Sequence, residues 1–337
     1  MKKGKSINGL MKHIRVQHKI KISGSKDKKL LLSMGYYHGY KGYKFNKNIT
    51  HPFTQLANFN QILAIADFDE QMKANMYPLV MKFENIIKNV IINQVVDGSN
   101  PAFDHIYKQK LTYYRTLSHN TSAYHNAILK RLRLKKIVDE RISTEYGNQN
   151  KIIAHYIENY EPVPLWALFE ILTLGNIGQF MWTLNIADRN EIAKFFNLYD
   201  FQYDPQSNFI RQSIFIIKDL RNALAHNHII FDCRFKSSNT RISNNIKATL
   251  KNKLGDENHF DFKRLVDYLA LVIIFLKESG SSVGELKRYI RSFENTVNDL
   301  YLKTQSADTS FPYSIYNEII GENFRGKITA IKNYVNS

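Results

Sequence analysis

The sequence contains one cysteine, Cys233, among 337 residues. A lone thiol can form neither an internal disulfide nor a cluster of thiolate metal ligands, so we expect a reducing compartment. The longest apolar run, Tyr268 to Leu276, is far shorter than the roughly 20 residues that span a bilayer. The first 30 residues contain no apolar core of the kind an export signal needs. These absences predict a cytoplasmic protein that does not enter a membrane.

The sequence also lacks the motifs of several enzyme classes. It has no glycine-rich phosphate loop of the Walker type and no Gly-x-Ser-x-Gly elbow, which argues against P-loop nucleotidases and α/β-hydrolases. Carboxylates cluster at Asp67, Asp69 and Glu70, but on a helix Asp67 and Asp69 diverge by about 200°. We therefore expect a solvated or salt-bridged face there, no metal site, and no cofactor.

Acidic residues are outnumbered by basic ones. The chain has 30 acidic residues against 47 lysines and arginines, a net charge of +17 and a pI near 9.6. A field of that sign attracts polyanions over long range, which makes nucleic acid the expected partner. An anionic membrane surface and a basic protein without a polyanionic partner are the alternatives.

Three basic segments are candidates for RNA contacts. Residues 1–30 predict a mobile basic arm or a weak helix that orders on phosphate. Residues 36–47 interleave aromatic and cationic side chains that could stack on bases and bind phosphates, and residues 130–136 could lie along a phosphate backbone. The alternatives are a solvated tail, core aromatic residues and a solvated helix face. The predicted RNA-binding residues are Lys2, Lys3, Lys12, Arg15, Tyr37, Lys41, Lys44, Lys130, Arg131 and Arg133.

Apolar residues recur at intervals of three and four along most of the chain, and strand signals are scarce, which predicts an all-α fold. Residues 53–96 are expected to form two helices separated at Pro78. Glu84 and Lys88 have the spacing of a helix-supporting ion pair. The helix after Pro164, which carries Trp166, is predicted to be a packed core helix.

A polar stretch after Phe235 predicts a connection between domains. The predicted helices beyond it cover 260–277, 283–302 and 314–335. We therefore predict a basic N-terminal arm over 1–30, a helical domain over 31–236 and a C-terminal helical extension over 237–337.

The segment 217–232, IKDLRNALAHNHIIFD, predicts a helix with two distinct faces. Leu220 and Leu224 belong to a core stripe, whereas Asn222 and His226 lie on the opposite face, with Arg221 at the boundary. Imidazole can transfer the proton of a ribose 2'-hydroxyl, and guanidinium can stabilise the resulting phosphorane, without a metal. The Arg-x4-His spacing alone is weak, because chance supplies roughly 0.5 such pairs in this composition.

Four stretches, in order, resemble the Abi-like family, bacterial abortive-infection factors of the HEPN superfamily. RNALAH at 221–226 is similar to the family's RN-x-x-AH signature, and GYYHGYKGYKF at 35–45 to its tyrosine-rich box. Residues 66–91 resemble its first long helix pair. A Pro-x-Trp-x3-Glu-x4-Gly pattern is present at Pro164, Trp166, Glu170 and Gly175. The resemblance spans about residues 30–236 and is closest to the AbiF-like branch.

This resemblance implies a HEPN-like helical bundle with metal-independent endoribonuclease activity in phage defence. In that hypothesis Arg221 stabilises the phosphate, His226 transfers a proton or binds the scissile phosphate, and Asn222 orients His226. HEPN proteins commonly bring two motifs together across a symmetric interface, so the resemblance also implies a homodimer. Its interface would contain Phe215, Asn222 and His226.

The residues after His226 depart from the family pattern, in which a second histidine commonly follows directly. The leading alternative is an RNA-binding toxin or regulatory module that holds a structured noncoding RNA without cutting it. A second alternative is a metal site formed by His226, His228 and Asp232. In a third, His226 only complements the helix dipole at the helix end.

Overall fold

The computed structural model describes residues 4–45, 56–237, 242–255, 259–307, 309–310 and 312–337. These residues form helices joined by loops, with no extended strand among them, which confirms the predicted all-α fold. None of the described helices is both long enough and apolar enough to cross a membrane. The HEPN-like arrangement of the helices stays a prediction.

Helices follow one another closely along the chain. Those in the first half are α1 (Ile7–Gln17), α2 (Gly24–Met34), a π-helix (Gly35–Lys41), α3 (Gly42–Lys44), α4 (Phe59–Val96), α5 (Phe103–Gln109), a 3-10 turn (Tyr113–Thr116), α6 (Ser122–Gly147) and α7 (Lys151–Glu158). Those in the second half are α8 (Leu165–Ile171), α9 (Leu174–Thr183), α10 (Ile186–Phe195), α11 (Asn208–Ala225), α12 (Asn244–Leu254), α13 (Leu265–Glu278), α14 (Val283–Gln305), α15 (Tyr313–Ile320) and α16 (Phe324–Asn336).

The 38-residue helix α4 is central, because α8, α10, α11, α13 and α14 all contact it. It begins at a capping box in which Asn58 and Gln61 satisfy each other's backbone N–H groups. The predicted break at Pro78 is wrong, since the helix runs through it. Pro78 and Ala74 are exposed, so water can satisfy the carbonyl that the proline leaves without a donor, while packing holds both halves. Residue 53, where the prediction began, lies outside the described residues.

Of the two forms predicted for the basic arm, the described residues 4–30 have the helical one and not the mobile one. Met11, Ile14 and Leu31 are buried, so α1 and α2 pack onto the rest of the protein. Between the two helices, the backbone of Lys21 makes two hydrogen bonds to the segment before α4. Its N–H donates to the carbonyl of Ala57 (2.8 Å), and its carbonyl accepts from the N–H of Phe59 (2.9 Å). The high content of lysine in this region outweighed, in the prediction, the few apolar residues through which these helices pack.

The C-terminal helices pack directly on the long central helix. Leu265 to Leu276 of α13 are all buried, as the apolar run predicts, and both α13 and α14 contact α4. The predicted last helix is two helices, α15 and α16, separated at Gly321, whose φ of 93° favours glycine. The predicted domain boundary near residue 237 adjoins residues outside the described ranges and stays a prediction.

One buried carboxylate on α4, that of Asp69, joins three parts of the chain. Its Oδ1 accepts the backbone N–H groups of Ile230 (2.8 Å) and Phe231 (2.7 Å), and its Oδ2 accepts from the Tyr43 hydroxyl (3.1 Å). Lys73, one turn later, pairs with the same carboxylate at 2.8 Å. Asp69 thus fixes both the tyrosine-rich segment and the segment after α11 to the central helix.

We expect Asp69→Ala to lower the free energy of unfolding by about 3–5 kcal/mol, because it leaves two buried N–H groups without an acceptor and a partly buried cation, Lys73, without its carboxylate. Asp67→Ala is the matched control on the same helix: Asp67 is about half exposed and pairs with Lys303, so its loss should cost about 0–1 kcal/mol. Urea denaturation of both variants measures the difference. Equal losses in the two variants would contradict the role given to Asp69.

Candidate functional site

The helix that carries RNALAH ends at His226 in a tight chain reversal. Asn227 adopts a left-handed φ of 51°, which asparagine tolerates better than most residues. Its N–H donates to the carbonyl of Leu224 (3.2 Å), and the N–H of His228 donates to that of Ala223 (2.8 Å). These two bonds form a Schellman motif, which satisfies the last carbonyls of α11.

This reversal sets two exposed histidines side by side. The ring centroids of His226 and His228 are 5.9 Å apart, with the planes tilted by 36°. Lys73, already paired with Asp69, donates to the Asn227 side chain at 3.0 Å and so fixes the turn between them to α4. The predicted outward orientation of His226 is therefore present, and His228 shares it.

A groove of about 1040 Å³ lies beside the two histidines. Its walls are the tyrosine-rich segment, the first turns of α4 and the segment after α11. The polar side chains that line it include Tyr37, His38, Asp67, Glu70, Lys73, His226, His228 and Arg234. The lining thus holds two fixed cations, Lys73 and Arg234, and two carboxylates, Asp67 and Glu70. Lys73 and Arg234 were not predicted; only the Asp69–Lys73 spacing of an ion pair on a helix could have indicated Lys73.

The tyrosine-rich segment has a buried side and an exposed side. Tyr40 is fully buried, stacks on His18 and donates or accepts a hydrogen bond with its Nδ1 at 2.7 Å. Tyr37 is 74% exposed and lines the groove, and Lys41 lies 5.0 Å above its ring. Tyr37 and Lys41 therefore lie where an RNA strand could reach them, whereas Tyr40 belongs to the core.

Arg234 and Ile229, which follow the histidines in sequence, contact the tyrosine-rich segment from its other side. Arg234 donates to the carbonyls of Gly42 and Phe45, both at 2.8 Å, and its charge is paired with Asp232 at 2.7 Å. A Cβ atom on Gly42 would lie 2.1 Å from the end of the Ile229 side chain, so any larger residue here would force that side chain to move. The groove wall is thus held at several points along the segment.

The prediction that Lys44 binds RNA conflicts with its burial. Only 6% of this residue is exposed, and burial lowers the pKa of its ammonium group. Its side chain packs against Phe45, with Nζ 5.7 Å from the ring centroid. Lys44 therefore lies beneath the surface that Tyr37 and Lys41 present.

Arg221 faces α4 and does not line the groove. Its Nε donates to the buried carboxylate of Glu84 at 2.9 Å, and Lys88 pairs with the other oxygen at 3.0 Å, as the Glu84–Lys88 spacing predicts. Burial would raise the pKa of Glu84, but the hydrogen bonds and charges of Lys88 and Arg221 outweigh it and lower that pKa. About 30% of the Arg221 side chain is exposed. Among the described residues its two terminal nitrogens have no hydrogen-bond acceptor, so they can meet a phosphate at the surface.

Asn222 is exposed on the turn of α11 before His226. Its carbonyl accepts the His226 N–H at 3.0 Å, an ordinary helical bond that fixes the backbone of His226. Phe215, expected at a dimer interface with Asn222 and His226, is only partly exposed, because its ring contacts Gly178 on α9. The helix that carries Trp166 packs in the core as predicted, through Leu165, Leu168 and Phe169, although Trp166 itself is 44% exposed and Glu170 lies exposed one turn later.

The other predicted RNA-binding residues that the structure describes do not line the groove. Lys12 and Arg15 are on α1, where Lys12 is exposed and Arg15 donates to the carbonyl of Ile22 at 2.8 Å. Lys2 and Lys3 lie outside the described residues. On α6, Arg133 is exposed.

Arg131 has a structural role that its sequence context did not indicate. Its guanidinium donates to the carbonyls of Leu111 (2.8 Å) and Tyr107 (2.7 Å) and stacks 3.6 Å from the centre of the Tyr107 ring. These contacts tie α6 to α5 and the loop after it. The predicted RNA contact of Arg131 would require breaking them.

The alternative of a metal site at the histidines is not supported by the geometry. The carboxylate of Asp232 is buried and receives the Arg234 guanidinium through both oxygens. Within the described ranges, no three histidine, cysteine or acidic side chains are grouped as metal ligands. His226 and His228 therefore have no third ligand from the described chain.

We expect Arg221→Ala to lower the free energy of unfolding by about 1–3 kcal/mol, because it removes a hydrogen-bond donor from a buried carboxylate. His226→Ala, at an exposed position, should change it by less than about 0.5 kcal/mol. Since the pKa of Glu84 is lowered, the Arg221 effect is complete near neutral pH and diminishes as pH falls through that pKa. Denaturant titrations at neutral and acidic pH test this; a pH-independent difference would refute the pairing.

Comparison with known families supplies a match over most of the described helical region. The family model described as Abi-like protein matches residues 29–232, which is more than half of the chain and includes the tyrosine-rich segment, Arg221 and both histidines. Searches of curated proteins and of solved structures found no match. The chain therefore belongs to the Abi-like family, and this membership indicates a role in abortive infection, a form of phage defence.

Proposed function

We propose that the protein is an RNA-binding, metal-independent endoribonuclease of phage defence, of the HEPN type. The observation that carries this proposal is the pair of exposed histidines, 5.9 Å apart, at the edge of a groove. Cleavage of RNA by its own 2'-hydroxyl needs one group to accept a proton and another to donate one. Two adjacent imidazoles, one neutral and one protonated, can perform both roles.

In this mechanism one histidine, His226 or His228, removes the proton of the 2'-hydroxyl, whose oxygen attacks the adjacent phosphorus. The other protonates the departing 5'-oxygen, so that a 2',3'-cyclic phosphate and a free 5'-hydroxyl result. Arg221 would stabilise the negative charge on the phosphorane through its terminal nitrogens, while Glu84 holds the guanidinium in place from behind. Asn222 would orient His226 from the preceding turn. No metal takes part in these steps.

Tyr37 and Lys41 are proposed as contacts for the RNA strand along the groove. The exposed ring of Tyr37 offers a face for base stacking, and Lys41 adds positive charge beside it. Lys73 lies at the other wall, next to Asn227. The proposed substrate is therefore single-stranded RNA, whose unpaired bases can turn toward such a wall.

A second candidate is a non-catalytic module that holds a structured noncoding RNA. Arg221 favours it, because its Nε is bound to Glu84 and the residue does not line the groove with the histidines. In this case RNALAH would serve as a structural helix end that also contacts phosphate. Both candidates predict salt-dependent RNA binding, so only cleavage separates them.

The first experiment is digestion of end-labelled single-stranded RNA in excess EDTA. Wild-type protein should cleave and leave 2',3'-cyclic phosphate or 3'-phosphate ends. His226→Ala and His228→Ala should each lose about 10²–10⁴-fold in rate, because each removes one proton-transfer group. His125→Ala, which removes an exposed histidine from α6, is the matched control and should cleave normally.

Two results would contradict this proposal, the first the activity itself and the second the role given to His226. If every variant binds RNA like the wild type and none, including the wild type, cuts it, the non-catalytic module becomes the better proposal. If the wild type cuts and His226→Ala cuts equally well, the proton-transfer role of His226 is wrong.

We also propose a homodimer, in line with the one Arg-x4-His signature that each chain contributes. Two copies of the histidine groove would then face a shared substrate across a twofold axis. Light scattering on purified protein, with and without RNA, should give twice the chain mass of 39.4 kDa. A strictly monomeric mass in both conditions would contradict the shared site. The cleavage assay would still test whether a single chain cuts RNA.

A further inference from the structure

A second cluster of cations lies near the beginning of α11, away from the histidine groove. Arg211 and His226 are 15 residues apart on this helix, a separation of about 22 Å along its axis. The cluster also contains Arg189 on α10 and Lys130 on α6, gathered around the rings of Trp182 and Tyr113. None of these side chains lines the groove beside His226.

Arg189 is the most unusual member, because its side chain is fully buried. Its exposed fraction is 1%, and its Nε and Nη1 have no hydrogen-bond partner in the described part of the chain. Its remaining contacts are a hydrogen bond from Nη2 to the Trp182 carbonyl and a position 4.2 Å from the centre of the Tyr113 ring. A buried guanidinium normally has a carboxylate partner, since removing its charge from water is costly.

The neighbouring cations increase the positive potential. Lys130 is exposed and lies 3.7 Å from the centre of the Trp182 ring, and Arg211 is partly exposed, 5.9 Å from the same ring. Burial and the nearby charge of Arg211 lower the pKa of Arg189 to about 9, and the same two causes lower that of Lys130. Among the described residues, no carboxylate forms an ion pair with any of the three. The negative charge of Asp204 raises the pKa of both arginines, against the lowering by burial. The Oδ2 atom of Asp204 accepts the N–H of Phe209 at 2.7 Å.

We propose that Lys130 and Arg211 form a phosphate-binding site at the edge of Trp182, with the buried Arg189 supplying positive charge from behind. Lys130 and Arg211 would contact the oxygens of the phosphate directly, because both are at least partly exposed. Guanidinium and ammonium groups bind phosphate strongly when few other partners compete for them. Lys130 covers a face of Trp182, so the ligand is a phosphate group and not a stacked base. The phosphate could belong to an RNA backbone or to a free nucleotide.

This inference does not rest on the proposed nuclease activity. The site is at the other end of α11 from the histidines, and binding there needs no cleavage. Variants of the histidines should therefore leave it unchanged, and its own variants separate phosphate binding from RNA cutting.

The chain contains only two tryptophans, which allows direct observation of the site. Trp166→Phe, at a partly exposed position, leaves Trp182 as the single tryptophan. In that background, inorganic pyrophosphate titrated at constant ionic strength should produce a saturable change in Trp182 fluorescence. Lys130→Gln and Arg211→Gln should each weaken the apparent affinity at least tenfold. Arg133→Gln, an equal loss of charge at an exposed position on α6, should change it less than twofold, as should His226→Ala.

Competition identifies the source of the phosphate. Displacement of pyrophosphate by a nucleoside 5'-monophosphate points to a terminal phosphate, and displacement by a short RNA without terminal phosphates points to the backbone. The proposal is overturned if the wild-type background gives no saturable response, if Lys130→Gln responds like Arg133→Gln, or if neither nucleotide nor RNA displaces pyrophosphate. Lys130 is exposed, so its variant tests the site even if Arg211→Gln does not fold.

Discussion

The carboxylate of Asp69 is the constraint on which the geometry of the candidate site depends. It is fully buried on α4, yet it accepts from the backbone of two residues after α11 and from Tyr43 of the tyrosine-rich segment. Lys73 balances its charge and also binds Asn227, in the turn between the two histidines. Segments distant in sequence thus share one polar anchor, and the groove is the space left between them.

Much of the fold could be predicted because apolar periodicity reports burial directly. The nine-residue apolar run from Tyr268 lies inside α13, and it is buried as predicted. The predictions that relied on a single residue type were less secure. Pro78 does not interrupt α4, since its exposed position lets water satisfy the freed carbonyl. In the N-terminal region, the many lysines drew the prediction away from the few apolar residues that pack α1 and α2 against the protein. In both cases tertiary packing outweighed a local preference.

The candidate site was predictable where helix geometry alone decides the outcome. His226 faces outward because of its position on α11, and the sequence fixes that position. The roles of cationic residues were harder to predict, since the sequence does not show which acceptor a lysine or arginine side chain contacts. Arg131 donates to two carbonyls and Lys44 is buried, whereas Arg133, two residues from Arg131, is exposed. Likewise, neighbouring carboxylates Asp67 and Asp69 could not be told apart before their partners were known.

The distribution of charge is consistent with different roles for the two ends of α11, with phosphate binding proposed near Trp182 and cleavage proposed at the histidine groove. The histidine groove contains carboxylates as well as cations, so its fixed charge is nearly balanced and adds little general attraction for a polyanion. The cluster around Trp182 has three cations without an ion-paired carboxylate among the described residues. An RNA held there by its phosphates would gain affinity without regard to sequence, as backbone contacts do. The groove would then act on whichever unpaired segment reaches the histidines, so that shape and chemistry, more than charge, would select the site of action.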